Sequence, residues 1–224
     1  MLTDLALLRL LQLVSPGLPI GMYSYSQGLE SAISDNWVSD PQTAAAWLQA
    51  ILARGLSQVD APILGRLYDA WLNGDQAAVA HWSLYLSVCR ETQELRSEDR
   101  HTGQALARLL DKLEIDEARL WLRHPDATLA TLFSLAAVRW QIDKKTAITG
   151  YLWGWLENQV LCLVKLIPFG QVTGQQLLQQ LAGELPDHVE TALGLSDDEI
   201  GGSVFGLALA SSRHEMQYSR LFRS

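Results

Sequence analysis

Apolar residues recur every three or four positions along almost the whole chain, and no stretch alternates apolar and polar residues with a period of two. That spacing predicts helices and excludes a sheet. Leu2 to Val14 reads as a strongly apolar first helix, with Thr3 or Asp4 near its start and Ser15-Pro16-Gly17 as its stop. The stretch from Leu18 to Glu30, punctuated by Pro19, Gly21 and Gly28, reads as a loop leading into a helix. Asp40-Pro41 has the form of an N-cap followed by a proline in the first turn, and Ala44, Leu48, Ile51 and Leu52 mark the buried face that follows. Val59-Asp60-Ala61-Pro62 reads as a second such start, with Ile63, Leu64, Leu67 and Trp71 beyond it. Asn73-Gly74 closes that helix. The next begins near Asp75 and carries Trp82, Tyr85, Leu86 and Cys89.

A dense charged segment, Arg90 to Arg100, comes next. His124-Pro125-Asp126 reads as another helix start, with Leu129, Leu132, Phe133 and Ala136 on one side. Asp143 caps a long helix running to Ile167, where Pro168 ends it. Shorter helices are expected over 173–181 and 187–193. Ser196-Asp-Asp-Glu199 has capping-box spacing and is read as opening a last helix that runs into the C-terminal segment 211–224. On a helix, His214, Tyr218, Leu221 and Phe222 would share one face of that segment, with Arg213, Gln217 and Arg220 beside it. With no internal repeat and no low-complexity linker, the expected architecture over 1–224 is an all-α, single-domain compact bundle of about nine or ten helices. The weakest place for a boundary is near 112–125.

Composition narrows the classes. The chain of 224 residues is 48% apolar and 19% charged, which supports a packed core and argues against disorder. A net charge of −8 disfavours a nucleic-acid partner. The C-terminal segment runs the other way: Arg213, Arg220 and Arg223 against Glu215 give it +2, leaving −10 for the remainder. Such a segment suits an acidic partner surface, or folds back on its own body. Cys89 and Cys162 lie in apolar helical stretches and are expected to be reduced thiols. Residues 1–14 lack a basic leader region and a small-residue cleavage site, so no signal peptide is read there. The longest apolar region, 147–167, holds Glu157, Asn158, Gln159 and Lys165, which argues against a membrane span. A soluble, cytoplasmic protein is the expectation.

A catalytic site is not evident. There is no phosphate-binding GxxxxGK[ST] loop, no GxSxG elbow and no HExxH. Gly202-Ser-Val-Phe-Gly206 is more simply a close backbone contact than a phosphate cradle. His214-Glu215 resembles a metal-binding pair, but sequence neighbours diverge by about 100° on a helix, so hydrogen bonding or packing is the simpler reading. The charged run around Arg90, Glu91, Glu94, Arg96, Glu98, Asp99 and Arg100 is either a solvated ion-pair face or a polar network that orders a loop or receives another protein. Lys165 either snorkels to the surface or meets an acidic group on a partner.

Together, Leu18-Pro-Ile-Gly21 with Tyr23-Ser-Tyr-Ser-Gln-Gly-Leu-Glu30, Val59-Asp60-x-Pro62, Arg90-Glu-Thr-Gln-Glu-Leu-Arg96 with Glu98, Pro168-Phe-Gly-Gln171 and Arg213-His-Glu-Met-Gln-Tyr-Ser-Arg-Leu-Phe-Arg-Ser224 resemble the UreF family of urease accessory proteins, in the family's order. Met22 stands where a second glycine is common and Met216 where threonine is common. The middle of the chain, about 107–145, is not constrained by the resemblance. The resemblance implies an all-α, usually dimeric protein without catalytic chemistry of its own; no cofactor and no metal-ligand set is read from the residues, and whether nickel touches the chain directly stays open. It would bridge a UreD/UreH-type scaffold and a UreG-type GTPase while the nickel centre of the urease apoprotein is assembled, regulating the GTPase and serving nickel delivery. Under it, Arg213, His214, Glu215, Tyr218, Arg220 and Phe222 order against the scaffold or the neighbouring loop, and Tyr23, Ser24, Tyr25, Gln27 and Glu30 form an adjoining surface. Arg90, Glu91, Glu94, Arg96 and Lys165 shape or stiffen a GTPase-facing side, and Gln171 belongs to the matched Pro168–Gln171 stretch. Two alternatives remain: a helical regulator of an unrelated GTPase, and an all-α enzyme whose site converges around His214, Glu215, Arg90 and Glu94.

Overall fold

A computed structural model describes residues 2–224. Among them the regular structure is helical, with no strand. The α-helices are α1 (Asp4–Val14), α2 (Leu29–Ser34), α3 (Pro41–Ile51), α4 (Ala61–Asn73), α5 (Gln76–Val88), α6 (Gln93–Lys112), α7 (Leu129–Arg139), α8 (Lys144–Leu166), α9 (Gly170–Ala182), α10 (Leu185–Gly194) and α11 (Phe205–His214). Because α3 and α4 belong to one continuous rod, these eleven segments make ten helices.

The long helix α8 is the spine. Its start is set by Asp143, whose carboxylate accepts the Thr146 N–H at 3.0 Å, and α1, α2, α3, α4, α7, α9 and α10 all pack on it. Helix α7 is the most enclosed element, buried at every position from Ala130 to Val138. Each fully buried leucine there contributes about 1.5–3 kcal/mol. Trp71 of α4 is buried against α7 and donates its indole N–H to the Thr131 carbonyl at 3.0 Å. The caps expected at Asp40 and Asp75 are present, and Gly74 closes α4 in a left-handed conformation.

Four expectations fail locally. Asp60-Ala61-Pro62 does not start a helix: Asp60 itself has helical dihedrals and makes no cap. The rod instead continues through a π-helical stretch, Leu52–Asp60. Proline in a helix removes an N–H and clashes with the carbonyl four residues back, and the wider π-turn absorbs the clash. The carbonyl so released, that of Gln58, accepts the Gly201 N–H at 3.1 Å. Second, α7 starts at Thr128 rather than at His124-Pro125-Asp126; the Thr128 hydroxyl accepts the Thr131 N–H at 3.2 Å. Third, the Ser196–Glu199 capping box opens only a single 3₁₀ turn, and the last helix begins at Phe205. Fourth, that helix ends at His214, and residues 215–224 follow an irregular path.

Candidate functional site: a C-terminal segment tied to a buried polar centre

The end of α11 is caused by competition for its hydrogen bonds. Glu30 on α2 accepts the backbone N–H groups of Leu221 at 2.7 Å and Phe222 at 2.9 Å. Arg220 donates to the carbonyls of Gln217 at 3.1 Å and Glu215 at 3.1 Å, and to the Glu94 carboxylate at 2.7 Å. Donors and acceptors needed for another helical turn are thereby engaged elsewhere. The expected helical face therefore breaks up: His214 and Phe222 are buried, whereas Tyr218 and Leu221 point to solvent.

His214, fully enclosed, has Nδ1 2.8 Å from Glu94 and Nε2 3.5 Å from Glu30. A neutral ring donates to one carboxylate and an imidazolium to both. Glu215 follows its neighbour only in part, accepting the Glu94 N–H at the start of α6 at 3.2 Å. Two further ties fix α11 to α6 and α2. The hydroxyls of Ser211 and Thr92 lie 2.7 Å apart. Gly28 is left-handed, with φ +76°, and a Cβ on it would sit 2.8 Å from the Ser211 nitrogen, so only glycine fits the crossing.

The loop before α2 is the other wall. Gln27 precedes Gly28 with φ 54°, a conformation rare for a residue with a side chain. That geometry aims its amide inward: Nε2 donates to Glu98 at 2.7 Å and Oε1 accepts the Trp155 indole N–H at 2.7 Å. Tyr25 is buried, and its carbonyl accepts from Asn158 of α8 at 3.1 Å. Ser24 contributes its carbonyl, which accepts the Arg223 N–H at 2.8 Å. Ser26 binds the Ser224 carbonyl through both its N–H, at 2.7 Å, and its hydroxyl, at 2.6 Å. Ser224 completes the circuit by donating its hydroxyl to Glu98 at 2.7 Å. Burial pushes the Glu98 carboxyl up to about 7, with the nearby Asp99 acting in the same direction and the Ser224 and Gln27 hydrogen bonds opposing.

Beneath this lies a buried ion network. Arg90 makes a two-pronged contact with Asp60, at 2.6 and 3.0 Å, and reaches Asp99 at 2.8 Å. Tyr151 donates to Asp60 at 3.2 Å. Asp99 spends its other oxygen on the Leu129 N–H at 2.7 Å, at the start of α7. Burial opposes the Arg90 charge, yet Asp60 and Asp99 hold its proton more tightly than usual. The Tyr151 hydroxyl is pushed well above its ordinary range, by burial first and then by Asp60 and Asp99. The charged run is thus not a solvated face: Glu98 and Asp99 are buried, Arg90 is largely covered, and Arg96 on the surface braces it by donating to the Arg90 carbonyl at 2.9 Å. A cavity of about 130 Å³ adjoins this network, bordered by Tyr23, Gln27, Asp60, Arg90, Tyr151 and Trp155.

Most of the residues singled out from sequence converge here. Lys165 is exposed and places its ammonium 5.6 Å from the centre of the Phe222 ring. Arg213 pairs with Asp35 at 2.5 Å and lies 5.1 Å from the Trp37 ring. Glu91 borders the cavity without joining the ion network, accepting from Ser203 at 2.5 Å, and Gln171 is exposed on α9 without joining the cluster. Sequence reasoning does not single out Asp60, Tyr151, Trp155 or Ser224 as site residues, and it reaches Glu98 and Asp99 only as members of the charged run. Asp60 before Ala61-Pro62 has the pattern of a cap, and nothing in the spacing of Tyr151 or Trp155 along an apolar helix distinguishes them from core.

These contacts define a class: an all-helical protein whose polar centre is a satisfied structural network. Among the described residues, no group of three or more His, Cys, Asp or Glu side chains is arranged to hold a metal ion, and no helix is long and apolar enough to cross a membrane. The UreF family model matches residues 38–182. The chain is 52% identical over 220 residues to the urease accessory protein UreF of Alkalilimnicola ehrlichii, covering 98% of this chain and 96% of the relative. It is 48% identical over 224 residues to that of Pseudomonas putida strain W619, covering 99% of each. The match to that of Hahella chejuensis is 44% over 220 residues, covering 98% of this chain and 99% of the relative. The chain belongs to the UreF family of urease accessory proteins, which are non-catalytic.

Proposed function

We propose that this protein serves urease maturation in the cytoplasm as a non-catalytic adaptor, bridging a UreD/UreH-type scaffold and a UreG-type GTPase and regulating GTP-dependent delivery of nickel to the urease apoprotein. The whole chain acts as one domain and pairs with a second copy. The surface formed by Tyr23, Tyr218, Leu221 and the Arg220 side chain takes the scaffold. The α6 side braced by Arg90 and Arg96, together with Lys165, faces the GTPase. Nickel is cargo in this scheme.

One observation carries the reading. The C-terminal segment is tied to α2 through Glu30 and to α6 through Glu94 and Glu98, while Met216, Tyr218 and Leu221 remain exposed. Exposed aromatic and apolar groups on a rigid, hydrogen-bonded platform are what a preorganised interface requires. The test is complementation of cells that carry urease but lack their own UreF protein. The expected result is active, nickel-loaded urease and co-purification of the scaffold and GTPase with this chain. Inactive urease alongside a well-expressed, folded chain overturns the proposal.

A further inference from the structure

The charges of α6 are sorted by side. Glu94, Glu98 and Asp99 turn inward, where His214, Arg220, Gln27, Ser224, Arg90 and the Leu129 N–H occupy them. Arg96, Arg100, Arg108 and Lys112 turn outward. With Gln104 they form a row of i, i+4 steps, which winds obliquely across the exposed side of the helix. Arg223 arrives beside this row on the C-terminal segment. It lines one surface hollow with Ser97 and His101, and the His101 imidazole is held below its ordinary value by burial and then by the charges of Arg100, Arg223 and Arg108.

None of Arg96, Arg100, Arg108, Lys112 and Arg223 makes an ion pair among the described residues. In a chain with 25 acidic and 17 basic residues, that is a concentration of unneutralised cations against the overall trend. Asp111, the acidic residue on the same side, is engaged by Arg119 at 2.8 Å. Mutual repulsion along the row costs some stability and is relieved when an anion lies over it.

We propose that the outer ridge of α6, with Arg223, is a docking surface for an acidic segment of another protein. An acidic polypeptide fits better than nucleic acid or an anionic membrane, because the net charge of −8 repels an extended polyanion wherever it leaves the ridge. From Arg96 to Lys112 the ridge runs about 24 Å at 1.5 Å per residue, the span of roughly seven residues of extended chain. The proposal stands on the charge pattern and does not depend on the urease reading.

The probe is a fluorescent ten-residue polyglutamate peptide, titrated into the full-length protein at low and near-physiological salt. Expected is saturable binding that weakens as salt rises and falls roughly tenfold or more in Arg100→Glu/Arg108→Glu. The charge-neutralised Arg100→Gln/Arg108→Gln falls in the same direction by less, and serves should the reversed pair disturb folding. Arg54→Glu, on the π-helical stretch, leaves binding unchanged. Equal binding by the ridge variants, equal loss in Arg54→Glu, or tighter binding of an oligothymidylate or of anionic lipid vesicles than of the peptide overturns the proposal.

Discussion

Glu30 holds Phe222 from the opposite end of the chain. One carboxylate oxygen accepts the Phe222 N–H at 2.9 Å and the other accepts that of Leu221 at 2.7 Å, so Glu30 on α2 holds the middle of the C-terminal segment while Ser26 and Glu98 hold its end. Hydrogen bonds to a charged group contribute about 1.5–3 kcal/mol each. Glu30→Ala should therefore loosen the segment around residues 220–222 while leaving the helices, and the Ser224 contacts with Ser26 and Glu98, intact. Trypsin should then cut readily after Arg220, and amide exchange at 221 and 222 should quicken by at least tenfold. Unchanged protection at both amides would contradict the anchoring role.

The Arg90 network makes a different prediction. Removing Arg90 strands Asp60 and Asp99 without a counter-charge, a situation that costs about 3–5 kcal/mol. At roughly 2–4 °C per kcal/mol for a chain of this size, Arg90→Ala should melt about 10 °C below the parent. Arg90→Lys should recover only part of the loss, since a lysine cannot reproduce the two-pronged contact with Asp60. Equal melting temperatures for Arg90→Lys and the parent would show that charge alone matters.

Glu98 should give the fold a pH dependence near neutrality. Its folded pKa of about 7 lies above its ordinary value of 4.5, so between those values the folded state binds more protons than the unfolded chain. Stability from this group is thus full at the acidic end of that window and declines as pH rises through about 7. The shift corresponds to something on the order of 3 kcal/mol. Glu98→Gln imitates the protonated acid, keeping an acceptor for Gln27 and a donor for Ser224. It should flatten the fall in melting temperature between about pH 5 and 7.5; a parent-like slope in the variant would assign the dependence to another group.

Gly28 tests the crossing of α2 and α11. A Cβ there would meet the Ser211 nitrogen at 2.8 Å, and φ is +76°. Gly28→Ala should cost about 1–3 kcal/mol and loosen α11, read as a lower melting temperature with faster exchange over 205–214. Unchanged values would mean that the two helices separate without penalty.

Much of the fold is legible in the sequence because its caps act locally. Asp40, Asp75, Asp143 and Gly74 each mark a helix boundary through contacts within a few residues. Asp60 and the C-terminal segment are not legible for the opposite reason. The Asp60 carboxylate answers to Arg90, 30 residues away, and Pro62 is accommodated by a π-turn rather than ending the rod. The segment after His214 has a helical pattern, but Glu30, 192 residues from Phe222, outcompetes it for the backbone. Most residues of the candidate cluster are picked out by the family resemblance, as a set and not as contacts. The inner half of the cluster is not legible, since Tyr151 and Trp155 are spaced as any apolar helix residues are.

The most direct test of the adaptor surface is a pull-down of the UreD/UreH-type scaffold with Tyr218→Ala/Leu221→Ala. Both side chains face solvent, so the variant should keep the parent melting temperature. The expected result is loss of scaffold binding, together with loss of urease activation, in a fully folded protein. Scaffold retained at the parent level by that variant would contradict the assignment of the C-terminal segment as the partner surface.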